Sequence, residues 1–117
     1  MKILRAEQIK EKIIYIAGPI TGVPDYKTPF DAARRIFQHA GKVVIDPSFL
    51  PIGLKSHDSY MNICMKMVDE ADAVVLLPGW ERSKGAKLEF MRASALELKV
   101  YEAMNDGEGR VVFKKVM

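Results

Sequence analysis

The chain has 117 residues, enough for one domain with its own core and too few for two. Apolar residues make up 49% and charged residues 28%, a balance that argues against disorder and favours a globular fold. The net charge of +3 comes from lysines and arginines spread along the chain, whereas nucleic-acid binders more often carry a basic stripe, so we expect no nucleic-acid partner.

The N-terminal residues 1–11 carry charges throughout, so they predict an arm or a short helix and not a signal peptide. The longest apolar stretch, residues 71–78, is interrupted by Asp72 and is too short to cross a bilayer. Cys64 is the only cysteine, which excludes an internal disulfide and a cysteine-built zinc site. We therefore expect a cytoplasmic protein that has no membrane partner.

The first half of the chain predicts strand, helix and strand in turn. Residues 12–17 are a short apolar, β-branched run, typical of a buried strand. After a loop, Thr28 is predicted to cap a helix that ends at Gly41. Residues 42–45 form the second predicted strand, which the dipeptide Asp46-Pro47 closes.

The second half continues the alternation. Asp58 or Ser59 is predicted to cap a second helix, whose inner face carries Met61, Cys64, Met65 and Val68. Residues 73–77 form a strand without polar alternation, as expected where both faces are covered. A third helix is predicted over residues 85–98, and the last two strands over 99–103 and 110–116. This order predicts a doubly wound, mostly parallel α/β sheet of five strands.

In such sheets, ligands bind outside the carboxyl ends of the strands, where the strand order reverses. Glu89 lies in the third helix, and its side chain leans back over Gly85 and Ala86, which are small enough to leave a path to this edge. Ser83 and the free N–H groups at the start of the helix could bind an anion. The alternative is an ordinary solvated glutamate that pairs with Arg92.

Further candidates lie near the same edge. The loop that begins at Gly18 either approaches a phosphate closely or is a plain turn. Tyr15 either orients Glu89 or packs in the core, and Asp46 either binds a sugar hydroxyl or forms an Asp-Pro turn. Trp80 could stack on a base or lie on the rim. His39 and His57 are the only histidines and do not have metal-ligand spacing, so we expect no metal.

Two segments, IYIAGPITG and DAVVLLPGWERSKGAKLEFMRA, resemble a branch of domains of unknown function in the nucleoside 2-deoxyribosyltransferase-like superfamily. The resemblance covers about residues 13–102 and implies a flavodoxin-like fold. It implies that Glu89 is the nucleophile and that Tyr15 supports it. Because Ser83 stands six residues before Glu89, the chain is more similar to the 2′-deoxynucleoside 5′-monophosphate N-hydrolases, where this serine binds phosphate.

The resemblance also implies that Gly18, Ile20, Thr21 and Gly22 form a phosphate-binding loop, and that the protein is a homodimer or higher homo-oligomer without a cofactor. One departure stands out: Cys64 occupies a position where the superfamily commonly has an aspartate that assists the departing base. The expected function is hydrolysis of the N-glycosidic bond of (deoxy)nucleoside 5′-monophosphates through a covalent glycosyl-Glu89 intermediate. The alternatives are deoxyribosyl transfer between bases and a catalytically weak nucleotide-binding module.

Overall fold

The structure, a computed structural model that describes residues 2–117, contains six strands and three α-helices within that range. In chain order these elements are β1 (Ile3–Leu4), β2 (Ile13–Ala17), α1 (Lys27–His39), β3 (Val43–Ile45), α2 (His57–Glu70), β4 (Ala73–Leu76), α3 (Lys84–Ala95), β5 (Lys99–Asn105) and β6 (Val111–Lys115).

The strands form one sheet in the order β1-β6-β5-β4-β2-β3. The neighbouring strands β3, β2, β4 and β5 are parallel to one another. Beyond β5, strand β6 pairs antiparallel with β5, and β1 pairs antiparallel with β6. The chain passes from β2 to β3 on one side and then returns to β4 on the other, so the strand order reverses between β2 and β4. The predicted doubly wound, mostly parallel fold class is confirmed, and the carboxyl ends of β2 and β4 bound the crevice where such folds bind ligands.

The sheet gains a strand that the sequence does not predict. Residues 1–11 were expected to form an arm or a short helix, but Ile3–Leu4 pairs with the end of β6, and a single 3₁₀ turn follows at Ala6–Gln8. Nothing is described for residue 1. A strand of two residues depends on its neighbour for stability, so its own sequence carries almost no signal.

Side chains of β2 alternate between two cores. Ile14 and Ile16 face α1, where their apolar neighbours include Phe30, Phe37 and Phe113. Tyr15 and Ala17 face the opposite side, which α2 and α3 cover with Val68, Ala86 and Ala93. The core on the α1 face consists of apolar side chains and Tyr101, whose hydroxyl donates to Glu11 at 2.6 Å, whereas the α2/α3 face encloses the hydroxyl of Tyr15.

Two predicted helix caps were wrong. Helix α1 begins at Lys27, one residue before the predicted cap Thr28, whose hydroxyl instead donates a hydrogen bond to Asp25 at 2.8 Å. Helix α2 is capped by Ser56, whose hydroxyl accepts a hydrogen bond from the backbone of Ser59 at 3.1 Å. The cap position of α1 is Tyr26, which has helical backbone angles and makes no side-chain cap bond. At α2 several Ser and Asp residues lie close together, and the path of the incoming chain gives Ser56 the extended backbone that a cap needs. Across residues 2–117, none of the helices has the length and apolar character that a bilayer span requires.

Candidate active site

The loops after β2 and β4 meet at the point where the strand order reverses. A Cβ atom on Gly18 would lie 2.9 Å from Cβ of Leu77, and a Cβ atom on Gly79 would lie 3.3 Å from Cγ of Pro19. Gly79 also has a φ of 88°, which glycine adopts without strain. The two glycines therefore let the loops approach each other closely at the carboxyl edge of the sheet.

The first loop presents exposed backbone beside this contact. The N–H of Val23 donates to the carbonyl of Ile20 at 3.1 Å, and Gly22 has a φ of 76°, as in a type II turn. Ile20 is half-buried against the α1 core, whereas Thr21 and Gly22 are exposed. Of the predicted phosphate-loop residues, Thr21 and Gly22 are thus the ones that solvent reaches freely.

Glu89 and Tyr15 meet in the core of the α2/α3 face. The two residues are 74 positions apart in sequence, and the Tyr15 hydroxyl donates a short hydrogen bond to Oε2 of Glu89. Tyr15 is 0% exposed and Glu89 only 3% exposed, so the pair is enclosed by protein. Strand β2 supplies the tyrosine, and the sixth residue of α3 supplies the carboxylate.

Burial sets the electrostatics of this pair. Loss of solvent raises the pKa of Glu89 to about 7, against the opposing effect of the hydrogen bonds from Tyr15 and Cys64. Burial and the neighbouring carboxylate raise the pKa of Tyr15 well above its ordinary value, so its hydroxyl remains a donor. A carboxyl group with a pKa near 7 can exchange between its acid and its nucleophilic form under physiological conditions.

The Cys64 thiol completes the cluster. It is 4% exposed and interacts with both Tyr15 and Glu89, and burial followed by the charge of Glu89 raises its pKa to about 12. The residues alone predict an inert buried thiol on an apolar helix face, whereas the resemblance places Cys64 where an aspartate commonly assists the departing base. The structure brings this face of α2 against the candidate nucleophile. The spacing of His57, Met61, Cys64 and Val68 on one side of α2 was the available signal.

The predicted anion site lies at the beginning of α3. Ser83 caps the helix, since its Oγ accepts a hydrogen bond from the backbone of Ala86 at 3.1 Å. Its hydroxyl hydrogen remains available as a donor. Gly85 follows one residue into the helix, where a Cβ atom would lie 3.4 Å from Sδ of Met61. Met61 therefore lies across the path that the sequence predicts from Glu89 to the edge of the sheet.

Asp46 and Trp80 are each engaged in bonds within the chain. The Asp46 carboxylate is buried and accepts hydrogen bonds from the backbone and the hydroxyl of Ser48, and from Arg34 at 3.4 Å. The Trp80 indole N–H donates to Glu102 at 2.9 Å, and its ring packs on Phe90 at a centroid distance of 5.1 Å. Ser48 is a buried polar residue that sequence reasoning missed.

Two surface clefts lie away from the buried pair. One of about 390 Å³ lies between α1 and the end of β3 and includes Asp46 and Phe49 in its lining. The other, of about 510 Å³, lies between Ile45 and the outer side of α2. Neither is lined by Glu89 or Tyr15. Within residues 2–117, no group of three His, Cys, Asp or Glu side chains is placed to hold a metal ion.

Comparison with known proteins identifies a family and a related fold. A family model described as "Domain of unknown function (DUF4406)" matches residues 12–102. A search of curated proteins gives no match. Among solved structures, a 2-desoxiribosyltransferase from Leishmania mexicana is similar with a TM-score of 0.63 and 24% identity over 78% of this chain. This chain spans 63% of that protein's length, and the likeness confirms the fold.

Proposed function

The chain belongs to the DUF4406 family, and we propose that it hydrolyses the N-glycosidic bond of (deoxy)nucleoside 5′-monophosphates, releasing a free base and a sugar phosphate. One observation carries this proposal: a carboxylate buried beside the switch point, hydrogen-bonded by Tyr15 and with a pKa raised to about 7. Structural glutamates are seldom buried without a cationic partner, and Glu89 has none among the described residues.

In the first chemical step, an ionised Oε of Glu89 attacks the anomeric carbon of the sugar, and the bond from that carbon to the base nitrogen breaks. The transition state resembles an oxocarbenium ion, and the product is a covalent glycosyl ester. Tyr15 holds the carboxylate in place and lowers its pKa, which increases the nucleophilic fraction. In the second step, water attacks the same carbon and releases Glu89.

The choice of a monophosphate rests on the beginning of α3. The Ser83 hydroxyl can still donate while its Oγ accepts from Ala86, and a phosphate oxygen can accept from it and from the free N–H groups at the start of α3. The exposed backbone of Thr21 and Gly22 lies at the same edge of the sheet and offers further donors. No cofactor or metal takes part in this scheme.

Base exchange is the second candidate, favoured by the similar fold of a protein named as a 2-desoxiribosyltransferase. It uses the same glycosyl-Glu89 ester and replaces water with a second base. We also propose that the protein forms a homodimer or higher homo-oligomer, because Leu88 and Met91 on α3 are 37% and 63% exposed. Light scattering of the purified chain tests this assembly, and a monomeric mass at micromolar concentration contradicts it.

The proposed function is tested by incubating the protein with common nucleotides and nucleosides and measuring released base by chromatography. Glu89→Gln should abolish release, while the matched control Glu70→Gln, an exposed glutamate on α2, should leave it unchanged. A second base added in excess distinguishes exchange from hydrolysis. If a nucleotide raises the melting temperature but no base is released, the enzymatic proposal is wrong and the protein is a nucleotide-binding module.

Ser83→Asp tests the monophosphate assignment. Aspartate is as good a helix cap as serine, so the variant should keep the stability of α3. Its charge should repel a 5′-phosphate, and we expect the preference for monophosphates over nucleosides to fall at least tenfold in kcat/KM. An unchanged preference would remove Ser83 from the phosphate site and leave the role of Glu89 intact.

A further inference from the structure

The inner face of α2 carries a line of side chains that leads from the protein surface to the buried pair. His57, Met61, Cys64 and Val68 follow one another at spacings of four, three and four residues, which places them on one side of the helix. His57 is exposed, Met61 is half-buried, and Cys64 and Val68 are buried. The line thus ends beside Glu89, with which Cys64 interacts.

Helix α3 runs parallel to α2 along this line, because both helices lead into parallel strands. A Cβ atom built on Gly85 would lie 3.9 Å from Cε1 of His57 and 3.4 Å from Sδ of Met61. Glu89 follows Gly85 by four residues, about 6 Å along the helix, on the same side. Its side chain leans back toward Gly85, which shortens the distance to the imidazole.

Met61 therefore lies between His57 and Cys64 along this line, packed against Gly85 one helical turn before Glu89. A methionine side chain is flexible and has several rotamers of similar energy, so an entering sugar can displace it. A sugar that displaced Met61 would have the buried Glu89 on one side of its anomeric carbon and the exposed His57 on the side that opens to solvent. The departing base occupies that open side.

A departing base needs a proton, and the buried cluster is a poor source of one. Burial raises the pKa of Cys64 to about 12 and that of Tyr15 well above its ordinary value. Glu89 must itself be ionised to attack the sugar. Histidine is the side chain that exchanges protons near neutral pH, and His57 is the histidine placed at this entrance.

We propose that His57 is the general acid that protonates the base as it leaves, a role that rests on the proposed function of the site. As the electron pair of the glycosidic bond moves onto the base nitrogen, the N–H proton of the His57 imidazolium passes to the base. The ester to Glu89 forms at the same carbon. Neutral His57 then takes a proton from the water that attacks the ester, which restores the imidazolium and the Glu89 carboxylate.

The charged groups near His57 leave this proton transfer possible. Lys55 and Asp58 flank it along the chain, with opposite charges. Across the contact, Lys84 precedes Gly85 at the beginning of α3, and Glu81 and Arg82 lie in the turn before it. No single charge sign dominates the entrance, and Glu89 is the ionisable group of α3 that lies deeper in the same line.

The test compares two leaving groups in the full-length protein. The four common 2′-deoxynucleoside 5′-monophosphates carry bases that need protonation, whereas 4-nitrophenyl 2-deoxyribofuranoside 5-phosphate releases a stable anion. We expect His57→Gln to slow base release about a hundredfold and nitrophenol release less than threefold. The matched control His39→Gln, on the last turn of α1, should change neither rate. Imidazole added to His57→Ala should restore part of the base release.

Each result separates the two proposals. If the wild type releases neither base nor nitrophenol, the proposed function fails and the role of His57 fails with it. Release of base at equal rates by the wild type and His57→Gln overturns only the general acid, as does an equal loss on both kinds of substrate, which would indicate a structural role. Release of nitrophenol but of no base by the wild type also overturns the general acid and leaves the Glu89 nucleophile standing.

Discussion

The two faces of the sheet are built on the same strands and differ in what they bury. On the α1 face, Phe37 and Phe113 pack with tilted rings whose centroids are 4.8 Å apart, and the hydroxyl of Tyr101 in the same core bonds to Glu11. On the α2/α3 face, the core closes around Tyr15, Cys64 and Glu89. Apolar burial stabilises the fold, whereas burial of a carboxyl group opposes it. The difference indicates that the α1 face maintains the fold, and the proposed chemistry belongs to the α2/α3 face.

The largest expected effect belongs to the α1 face. Phe113 is fully buried, so Phe113→Ala should lower the free energy of unfolding by about 3–5 kcal/mol, measured by urea denaturation. Phe113→Leu, the matched control, should lose less because it leaves a smaller cavity. In both variants, the folded fraction should keep the wild-type pH profile of base release. A shift of this pH profile in either variant would show that the two faces of the sheet are coupled and do not have separate roles.

Glu89→Gln should raise the free energy of unfolding at high pH, where Phe113→Ala lowers it. The pKa of Glu89 in the folded protein is about 7, above the ordinary value of 4.5, so the folded state holds a proton that the unfolded state has lost. Stability therefore falls as the pH rises from about 4.5 to about 7, and the ionised carboxylate costs about 3 kcal/mol above that range.

Because glutamine is neutral at every pH, Glu89→Gln should be more stable than the wild type by up to about 3 kcal/mol at pH 8.5 and nearly equal to it at pH 4.5. Urea denaturation at the two pH values measures this. Glu70→Gln, on the exposed side of α2, should show little difference at either pH. A loss of stability at pH 8.5 in Glu89→Gln would mean that the carboxylate is stabilised where it lies.

The sequence predicts the central sheet well because strands β2 and β4 are continuous apolar runs with clear ends. It predicts helix starts poorly, since Thr28, Asp58 and Ser59 were chosen by residue type alone and the extended backbone that makes Ser56 a cap depends on the preceding loop. Local signals do not carry tertiary context of this kind.

In the candidate site too, the sequence predicts what lies within one helix and misses what depends on how helices pack. Glu89 stands out because Gly85 and Ala86 precede it, a signal within one helix. The positions of Cys64 and Met61 relative to it depend on how α2 packs on α3, which no local pattern specifies. The line from His57 to Cys64 is visible as a spacing on one helix side, yet only the structure shows that it faces Gly85 and Glu89.

Expressed as a free energy, the effect of Tyr15→Phe should be smaller than that of Phe113→Ala or Glu89→Gln. The Tyr15 hydroxyl donates to the Glu89 carboxylate and lowers its pKa, so its removal favours the protonated, non-nucleophilic form. We expect the acid limb of kcat/KM to move to higher pH, and the rate at pH 6.5 to fall roughly tenfold. Tyr101→Phe, which removes a hydroxyl bonded to Glu11 elsewhere in the chain, serves as the control. An unmoved acid limb would show that Tyr15 has no influence on the ionisation of Glu89.

Cys64→Ala should give the smallest effect, and like Tyr15→Phe it should move the acid limb of kcat/KM to higher pH. The thiol also lowers the pKa of Glu89, but less than Tyr15 does, because a thiol is a weak donor. The acid limb should therefore move less than in Tyr15→Phe, with a loss of roughly twofold at pH 6.5, and Cys64→Ser should return it toward the wild type. If Cys64→Ala instead abolished base release while sparing nitrophenol release, the thiol would be the proton donor. The α2/α3 face would then contain both halves of the chemistry in its buried core, and His57 would have no part in it.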